Sequence, residues 1–122
     1  SRMVKAILKW HLGQRMKKAA MKKHLYREQP FVIQRSASML DDGWKNETVL
    51  VQGIIDAYFM EEEEIVLVDY KTDRVRRGQE QKLIDLYHVQ LEDYARALER
   101  MTGKKVKEKI IYSFTLQKEI LL

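Results

Sequence analysis

Two aspartates and a lysine stand near the ends of two consecutive apolar segments of this 122-residue chain. Asp56 closes the run Gly53-Ile54-Ile55-Asp56, and Asp69 is followed two positions later by Lys71. A carboxylate in a buried strand is unfavourable unless it is paired or binds a metal ion. Mg²⁺ is usually held by one or two carboxylates together with water and substrate phosphate oxygens. A lysine beside them can orient or deprotonate an attacking water and stabilise developing charge, so this set is typical of metal-assisted phosphodiester hydrolysis.

The same residues have a second interpretation, an ordinary solvated ion pair. Side chains alternate along a strand, so Asp69 and Lys71 share one face, and an Asp-x-Lys pair also arises by chance. A hairpin that lays Asp56 beside Asp69 would instead bring two carboxylates and one ammonium group to a single sheet edge. Gln90 and Tyr94 lie one turn apart on a later predicted helix and favour such a site.

The hydrophobic pattern predicts two helices and four or five strands, the short segment Glu119–Leu122 being the fifth. Apolar residues recur every three or four positions over Met3–Lys23 and Gln81–Met101, which indicates amphipathic helices. Turn-forming residues at 41–46 predict a hairpin between the first two strands. We expect the strands at Leu25–Ala37, Thr48–Met60, Ile65–Thr72, Val106–Leu116 and Glu119–Leu122. A strand–helix–strand crossover would make the third and fourth strands parallel, which predicts an α/β fold with helices covering the sheet.

Length and composition exclude several classes of protein. The length suits one domain, and we treat residues 1–122 as a single unit. The absence of cysteine excludes disulfide frameworks, thiolate zinc sites, iron–sulfur clusters and cysteine nucleophiles. No apolar run approaches the roughly twenty residues that span a bilayer, and the first residues do not resemble a signal peptide. We therefore expect an intracellular protein with no membrane contact.

Basic residues outnumber acidic ones by 23 to 18, and they are clustered. The first 23 residues hold eight lysines and arginines and no acidic residue. The other basic clusters are Lys71, Arg74, Arg76, Arg77 and Lys82, and Lys104, Lys105, Lys107 and Lys109. A polyanion such as nucleic acid fits this distribution, but charge alone favours the simpler explanation of solvated faces.

Several motifs, taken together, resemble one nuclease family. They are Gly53-Ile54-Ile55-Asp56, Asp69-Tyr70-Lys71-Thr72-Asp73 and Gln90-Leu91-x-x-Tyr94-x-x-Ala97-Leu98, preceded by Tyr26-Arg27-Glu28-Gln29-Pro30-Phe31. In order and spacing they are similar to the nuclease domains of the RecB/AddA branch of the PD-(D/E)XK superfamily. The likeness runs from about Leu12 to Phe114 and so covers most of the chain.

The resemblance implies a fold and a set of site residues. The fold would be restriction-endonuclease-like, a mixed β-sheet flanked by helices. The resemblance makes Lys71 the catalytic lysine and places Gln90 and Tyr94 beside the active site. The implied ligands of the metal are Asp56, Asp69, the backbone carbonyl of Tyr70 and, directly or through water, Glu28. The implied metal is Mg²⁺, for which Mn²⁺ can substitute.

The resemblance also implies a biological setting. The chain would be the metal-dependent DNA exonuclease domain of an AddAB/RecBCD-type helicase–nuclease of the bacterial cytoplasm, acting in double-strand-break repair and recombination. Its partners would be DNA, single-stranded as a helicase feeds it, together with an AddB-like protein. The residues expected to contact phosphates are Arg74, Arg76, Arg77 and Lys82. Because the chain has no Gly-x-x-x-x-Gly-Lys-[Ser/Thr] motif, ATP-driven helicase activity would lie outside it.

One departure from the family keeps a second function open. The family usually has a histidine on a helix upstream of these motifs, and His11 and His24 lie too close to the first strand to match it. We therefore expect the chain to be a fragment, cut after that helix, of a larger helicase–nuclease. The alternative function is a nuclease-fold DNA-binding module that is inactive in isolation; a basic α/β domain with chance motif matches is a third, remote alternative.

Overall fold

The computed structural model describes residues 11–36 and 48–122. The expected start of the first helix and the hairpin turn at 41–46 lie outside these residues. The described elements are α1 (His11–Met21), β1 (Leu25–Ser36), β2 (Thr48–Glu61), β3 (Glu64–Lys71), α2 (Glu80–Thr102), β4 (Val106–Ser113) and β5 (Lys118–Leu121). The predicted element types and their order are therefore confirmed over the described ranges.

The five strands form one mixed sheet in the order β1-β2-β3-β4-β5. Neighbouring strands are antiparallel except for β3 and β4, which pair in parallel. The 23-residue helix α2 makes the crossover between these two strands. The parallel pair expected from the strand–helix–strand order is confirmed, and with it the α/β fold.

The two helices cover opposite faces of the sheet. On one face, Leu12 and Met16 of α1 pack with Phe59 and Val66. On the other face, Leu83, Leu91 and Leu98 of α2 belong to a second apolar cluster. The strand residues of that cluster include Ile33, Leu67 and Ile111. The buried apolar residues of the strands thus face either α1 or α2. The face on which a strand residue lies decides whether its side chain can reach the site.

The ends of several elements differ from those predicted. The predicted strands leave the four glutamates at 61–64 between them, but Glu61, the last residue of β2, pairs with Glu64, the first residue of β3. Only Glu62 and Glu63 form the turn, with φ of 50° and 69°. Positive φ at both central residues is the geometry of the two-residue turns that match strand twist. Glu63 also pairs with Lys104 across the turn. The fourth strand ends at Ser113, three residues earlier than predicted.

A glycine ends helix α2. Gly103 adopts a φ of 70°, and its N–H donates to the Glu99 carbonyl at 2.9 Å. This is the left-handed glycine cap expected at a helix C-terminus. Among the described residues no helix is long and apolar enough to cross a membrane.

An irregularity in β1 and β2 reverses which residues face each helix. The pairs Gln29↔Ile55 and Arg27↔Ala57 flank Glu28 and Asp56, which are not themselves paired. Ile55 packs on the α2 face, whereas Ala57, two residues later, packs on the α1 face. Residues two apart in a regular strand share a face, so β2 inverts at Asp56. Glu28, opposite it, has a φ of 50°. Asp56 therefore occupies an interruption of the sheet and not a regular strand position.

Candidate active site

The Asp56 carboxylate lies in a gap between β2 and β3. The pairing of these strands runs from Glu61↔Glu64 to Ala57↔Val68 and stops there. Beyond that point the Tyr70 N–H donates to Asp56 Oδ2 at 2.8 Å, replacing a backbone acceptor with a side-chain one. The N–H and C=O of a strand residue point to the same side, so the Tyr70 carbonyl faces the same gap. The gap thus holds a carboxylate and a directed carbonyl.

Asp69 brings a second carboxylate to the same place. It lies on the α2 side of β3 and is only 3% exposed. Burial, and next the neighbouring Asp56 carboxyl, raise the pKa of Asp69 from 3.8 to about 7, although Lys71 acts in the opposite direction. Two adjacent carboxyl groups disfavour each other's charged form, and desolvation adds to this effect. The two carboxyl groups are both ionised at low cost only when a cation lies beside them.

Lys71 supplies one positive charge, and its ammonium group is held from three sides. Nζ lies 2.9 Å from Asp69 Oδ2 and donates to Gln90 Oε1 at 2.9 Å. It also lies 3.9 Å from the centre of the Tyr87 ring. The Lys71 side chain is 15% exposed. The shared face of Asp69 and Lys71, predicted from strand alternation, is confirmed, and the alternative of a solvated pair does not describe this buried contact.

Gln90 and Tyr94 reach the site from α2, as their one-turn spacing predicts. Tyr94 is buried and its ring meets Phe31 edge-on, with centroids 5.1 Å apart. A Cβ on Gly53 would lie 3.1 Å from Phe31 Cε1, so the glycine of the Gly-x-x-Asp motif makes room for the ring that supports Tyr94. Burial, with smaller contributions from the charges of Asp69 and Asp56, raises the pKa of the Tyr94 hydroxyl.

Tyr87 and Asp73 belong to the site although sequence reasoning assigned them no chemical role. The Tyr87 hydroxyl donates to Asp73 Oδ2 at 2.8 Å, and this bond, ahead of burial, raises the pKa of the hydroxyl. The available signal was helical spacing, since Tyr87 precedes Gln90 by three positions and Tyr94 by seven. Residues at these intervals share one helix face, but an apolar repeat of this period by itself favours a core position for Tyr87 and indicates no chemical role.

The structure places the other predicted residues around the site and not in it. Glu28 lies opposite Asp56 on β1, but its side chain is exposed. The predicted DNA-binding residues Arg74, Arg76, Arg77 and Lys82 are all exposed on the segment from β3 to the first turn of α2. These four residues form a basic rim on the segment that follows the Asp-x-Lys motif.

The donor set suits a hard divalent cation. Asp69 Oδ2 is buried and accepts no well-directed hydrogen bond, despite its closeness to Lys71. Within the part of the chain described, no three His, Asp or Glu side chains are arranged to hold a metal. Two carboxylates and a backbone carbonyl are nevertheless sufficient for Mg²⁺, which keeps several waters and substrate oxygens as ligands. The expected extra ligand, Glu28, is not gathered with the two aspartates in this structure.

A second charged region lies at the end of β2 that leads into the β2–β3 turn, on the α1 face. The Arg15 guanidinium donates to both oxygens of Glu61, at 2.9 and 2.7 Å, and to both oxygens of Glu108, at 3.2 and 2.6 Å. Lys107 Nζ lies 3.1 Å from Glu61. Arg15, Glu61 and Lys107 border a groove of about 660 Å³ at the β2–β3 turn, which is also lined by His24. The groove is therefore separate from the gap that holds Asp56 and Asp69.

Known proteins similar to this chain agree with the geometry. A family model described as the PD-(D/E)XK nuclease superfamily matches residues 1–120. Several bacterial proteins named as a subunit of an ATP-dependent helicase/nuclease are similar to it. The one from Clostridium novyi (strain NT) is 43% identical over 117 residues, which is 92% of this chain and 9% of the relative. That from Thermoanaerobacter sp. (strain X514) is 45% identical over 115 residues, 91% of this chain and 9% of the relative.

A third relative carries the same name and gives the same picture. The protein from Clostridium perfringens (strain 13 / Type A) is 40% identical over 123 residues, covering 96% of this chain and 10% of the relative. The chain thus spans about a tenth of the length of the curated relatives it matches. The resemblance inferred from the motifs is confirmed: the chain belongs to the PD-(D/E)XK nuclease superfamily.

Proposed function

We propose that the chain is the DNA nuclease domain of a larger helicase–nuclease and hydrolyses phosphodiester bonds with a divalent metal, Mg²⁺ or in its place Mn²⁺. The observation that carries the proposal is the meeting of Asp56, Asp69 and Lys71 at the gap between β2 and β3. The buried Asp69 is costly to ionise without a compensating cation. Two adjacent carboxylates disfavour each other's ionised form, and a bound divalent cation would relieve that repulsion.

Each residue has a distinct task in this proposal. Asp56, Asp69 and the Tyr70 carbonyl would hold the ion, which when bound lowers the pKa of a water ligand and polarises the phosphate. Lys71, kept in place by Gln90 and Asp69, orients the attacking water and stabilises charge on the phosphate oxygens. Gln90 and Tyr94 form the wall of the site on the α2 side. The arginines of the rim attract the nucleic acid backbone.

The wider setting follows from the relatives and is part of the proposal. Their printed name combines a helicase with a nuclease. We infer that this chain is one domain of a longer protein of the bacterial cytoplasm, and that the rest of that protein and an AddB-like partner deliver single-stranded DNA. Exonuclease action in double-strand-break repair and recombination would be its role. Glu28, exposed opposite Asp56, would join the metal only through water.

Cleavage of DNA tests the proposal directly. The chain is incubated with end-labelled single-stranded DNA and with Mg²⁺, Mn²⁺ or a chelator, beside Asp56→Asn and Lys71→Met. The control is Glu92→Gln, which removes an exposed carboxylate from α2. We expect metal-dependent cleavage by the wild type and the control, and its loss in both site variants. Calorimetric Mg²⁺ binding that is equal in the wild type and Asp56→Asn contradicts the ligand assignment.

The second candidate is a DNA-binding module without turnover. It is favoured by the histidines: His24 lines the separate groove, and His88 is exposed with Nδ1 3.3 Å from the Ile84 carbonyl of its own helix. In the ranges described, neither lies with the two aspartates as the third member of a metal site. DNA binding that persists without cleavage at high protein concentration, in either metal, supports this candidate and contradicts hydrolysis by the chain alone.

A further inference from the structure

The Tyr87 side chain contacts the active-site region at two points, Lys71 at the end of β3 and Asp73 in the loop that follows it. Its ring lies under Lys71 Nζ, 3.9 Å from the ring centre. Its hydroxyl donates to Asp73, which lies in the segment following β3. One tyrosine on α2 therefore contacts both the end of the strand that carries Lys71 and the loop that leaves it.

The three neighbours of the Lys71 ammonium are chemically different. Asp69 and Gln90 present oxygen atoms at 2.9 Å each, and these two contacts alone leave the group free to turn about its flexible stem. A lysine has a long side chain with several rotatable bonds and three rotatable donors. The aromatic face attracts the cation through its quadrupole and excludes water from that side. Tyr87 thus limits both the direction and the hydration of the ammonium group.

The hydroxyl contact explains how the ring is held. Tyr87 is partly exposed, and a partly exposed ring with no anchor is free to change rotamer. The hydrogen bond to Asp73 Oδ2 at 2.8 Å restrains it. The loop is itself attached to the end of β4, because Thr115 Oγ1 donates to the Asp73 carbonyl at 2.7 Å. The ring is therefore fixed relative to the strands that carry the carboxylates.

We propose that Tyr87 is a positioning residue for Lys71: its ring holds the ammonium group toward the gap between Asp56 and Asp69 and shields it from bulk water, with Asp73 fixing the ring. This inference rests on the proposed nuclease function, in which Lys71 acts on the attacking water. Tyr87 itself makes no contact with the reacting atoms in this role. The ring is the essential part, and the hydroxyl is its anchor.

Two substitutions separate the ring from the hydroxyl. Tyr87→Phe keeps the aromatic face and loses the bond to Asp73, whereas Tyr87→Leu loses both and keeps an apolar side chain. We expect Tyr87→Leu to lower kcat about tenfold, in line with a cation–π contact of a partly desolvated lysine. Tyr87→Phe stays within about threefold of the wild type. KM changes little in either, because the ring acts on Lys71 and not on DNA binding. The control is Leu86→Ala, an exposed neighbour on α2.

A chemical readout reports on Lys71 without any turnover. Each protein is treated with an amine-acetylating reagent, and the rate of modification at Lys71 is measured by mass spectrometry. The rate at the exposed Lys18 serves as the internal reference. We expect the relative rate at Lys71 to rise several-fold in Tyr87→Leu and to rise less in Tyr87→Phe, which keeps the aromatic ring but loses its anchor. Thermal unfolding of both variants monitors folding separately.

The outcomes distinguish this inference from the proposed function. If the wild type cleaves DNA and Tyr87→Leu matches it in kcat and in Lys71 modification, the positioning role is overturned while the nuclease proposal stands. A Tyr87→Phe variant as impaired as Tyr87→Leu would show that the ring is not the essential part and would also overturn it. A wild type that does not cleave DNA removes the reaction that positioning serves, and both proposals then fail.

Discussion

Two charged regions along β2, one at its end beside the β2–β3 turn and one at the interior gap that holds Asp56, show how differently acidic and basic side chains can be used. Near the β2–β3 turn, one arginine satisfies two glutamates through four hydrogen bonds, and a lysine adds a further contact. In the gap at Asp56, Lys71 contacts Asp69, Asp56 accepts a hydrogen bond from the Tyr70 N–H, and one oxygen of Asp69 accepts no well-directed hydrogen bond. The first region is balanced in charge, and the second has a surplus carboxylate.

The protonation equilibria of the two regions are shifted in opposite directions. The hydrogen bond from Arg15 lowers the pKa of Glu61 from 4.5 to about 2, whereas burial raises the pKa of Asp69 from 3.8 to about 7. A carboxylate that is fully paired contributes to the stability of the fold. A buried carboxylate that is short of partners reduces stability and is retained for another purpose. The comparison supports a structural role for Arg15 and agrees with the proposal that Asp69 binds the metal.

The largest expected effect is on cleavage, at Asp69. We predict that Asp69→Asn lowers the rate of metal-dependent DNA cleavage about a thousandfold, because loss of a ligand removes several kcal/mol of transition-state stabilisation. The melting temperature of the metal-free protein does not fall. Cleavage of end-labelled DNA and thermal unfolding in chelator check the two halves of this prediction. If the variant retains cleavage but has a lower melting temperature, Asp69 has a structural role, and the proposed difference between the Arg15 and Asp69 regions is wrong.

The converse effect is expected at Arg15, on stability. Arg15→Leu leaves Glu61 and Glu108 facing each other without their shared cation. Breaking a buried pair costs about 3–5 kcal/mol, and partial solvent screening of these groups reduces this to about 2 kcal/mol. We predict a melting temperature lower by about 8 °C, with unchanged kcat well below it. Lys18→Ala, on the same helix but exposed, is the control and should leave the melting temperature unchanged.

A smaller effect separates the two regions by the pH dependence of stability. The folded-state pKa of Glu61 lies below its unfolded value, so its contribution is present above about pH 4.5 and is lost as the pH falls toward 2. The folded-state pKa of Asp69 lies above its unfolded value, so its contribution in metal-free protein is present below about pH 4 and is lost as the pH rises through 7. We therefore expect Glu61→Gln to weaken the acid-side loss of stability, and Asp69→Asn to remove a loss on the neutral side. Denaturant unfolding of metal-free protein from pH 2.5 to 8 measures both, and slopes of the same sign would contradict the assignment.

The smallest effect is expected at the exposed rim. We predict that Arg76→Ala weakens DNA binding a few-fold and reduces the slope of log K against log [salt] by about one, because one phosphate contact is lost. Binding titrations at several salt concentrations check this. Arg100→Ala, an exposed arginine in the last turn of α2, provides the matched control. An equal loss in both variants would show that net charge, and not the rim, attracts the DNA.

Much of the fold and part of the site were predictable because their determinants are local. Apolar spacing predicted α2, and the run Ile65–Thr72 predicted β3 to within one residue at each end. Alternation along a strand placed Asp69 and Lys71 on one face, and helical spacing brought Gln90 and Tyr94 to one side of α2. The resemblance to a nuclease family rested on motif types and intervals, which are properties of the sequence itself.

Other features depend on contacts between residues that are far apart in the chain. The inversion of β2 at Asp56, and the end of pairing at Ala57↔Val68, follow from how β1 and β3 fit against β2. A period-two pattern does not reveal such a reversal. The contact of Tyr87 with Lys71 needs α2 to cross the sheet at one angle, so the periodicity that placed Tyr87 in the core was uninformative about its role.

The sequence by itself determined the elements, the types of chemical group and the faces on which they lie, because these depend on periodicity and on short intervals. The tertiary structure decided which charges are shared. It matched Arg15 to two glutamates from β2 and β4, and it brought Lys71 to Asp69 while placing Asp56 against the Tyr70 N–H. The physical reason is that desolvation and pairing depend on distances across the sheet. Those distances are set by the packing of the whole domain and not by neighbours in the chain.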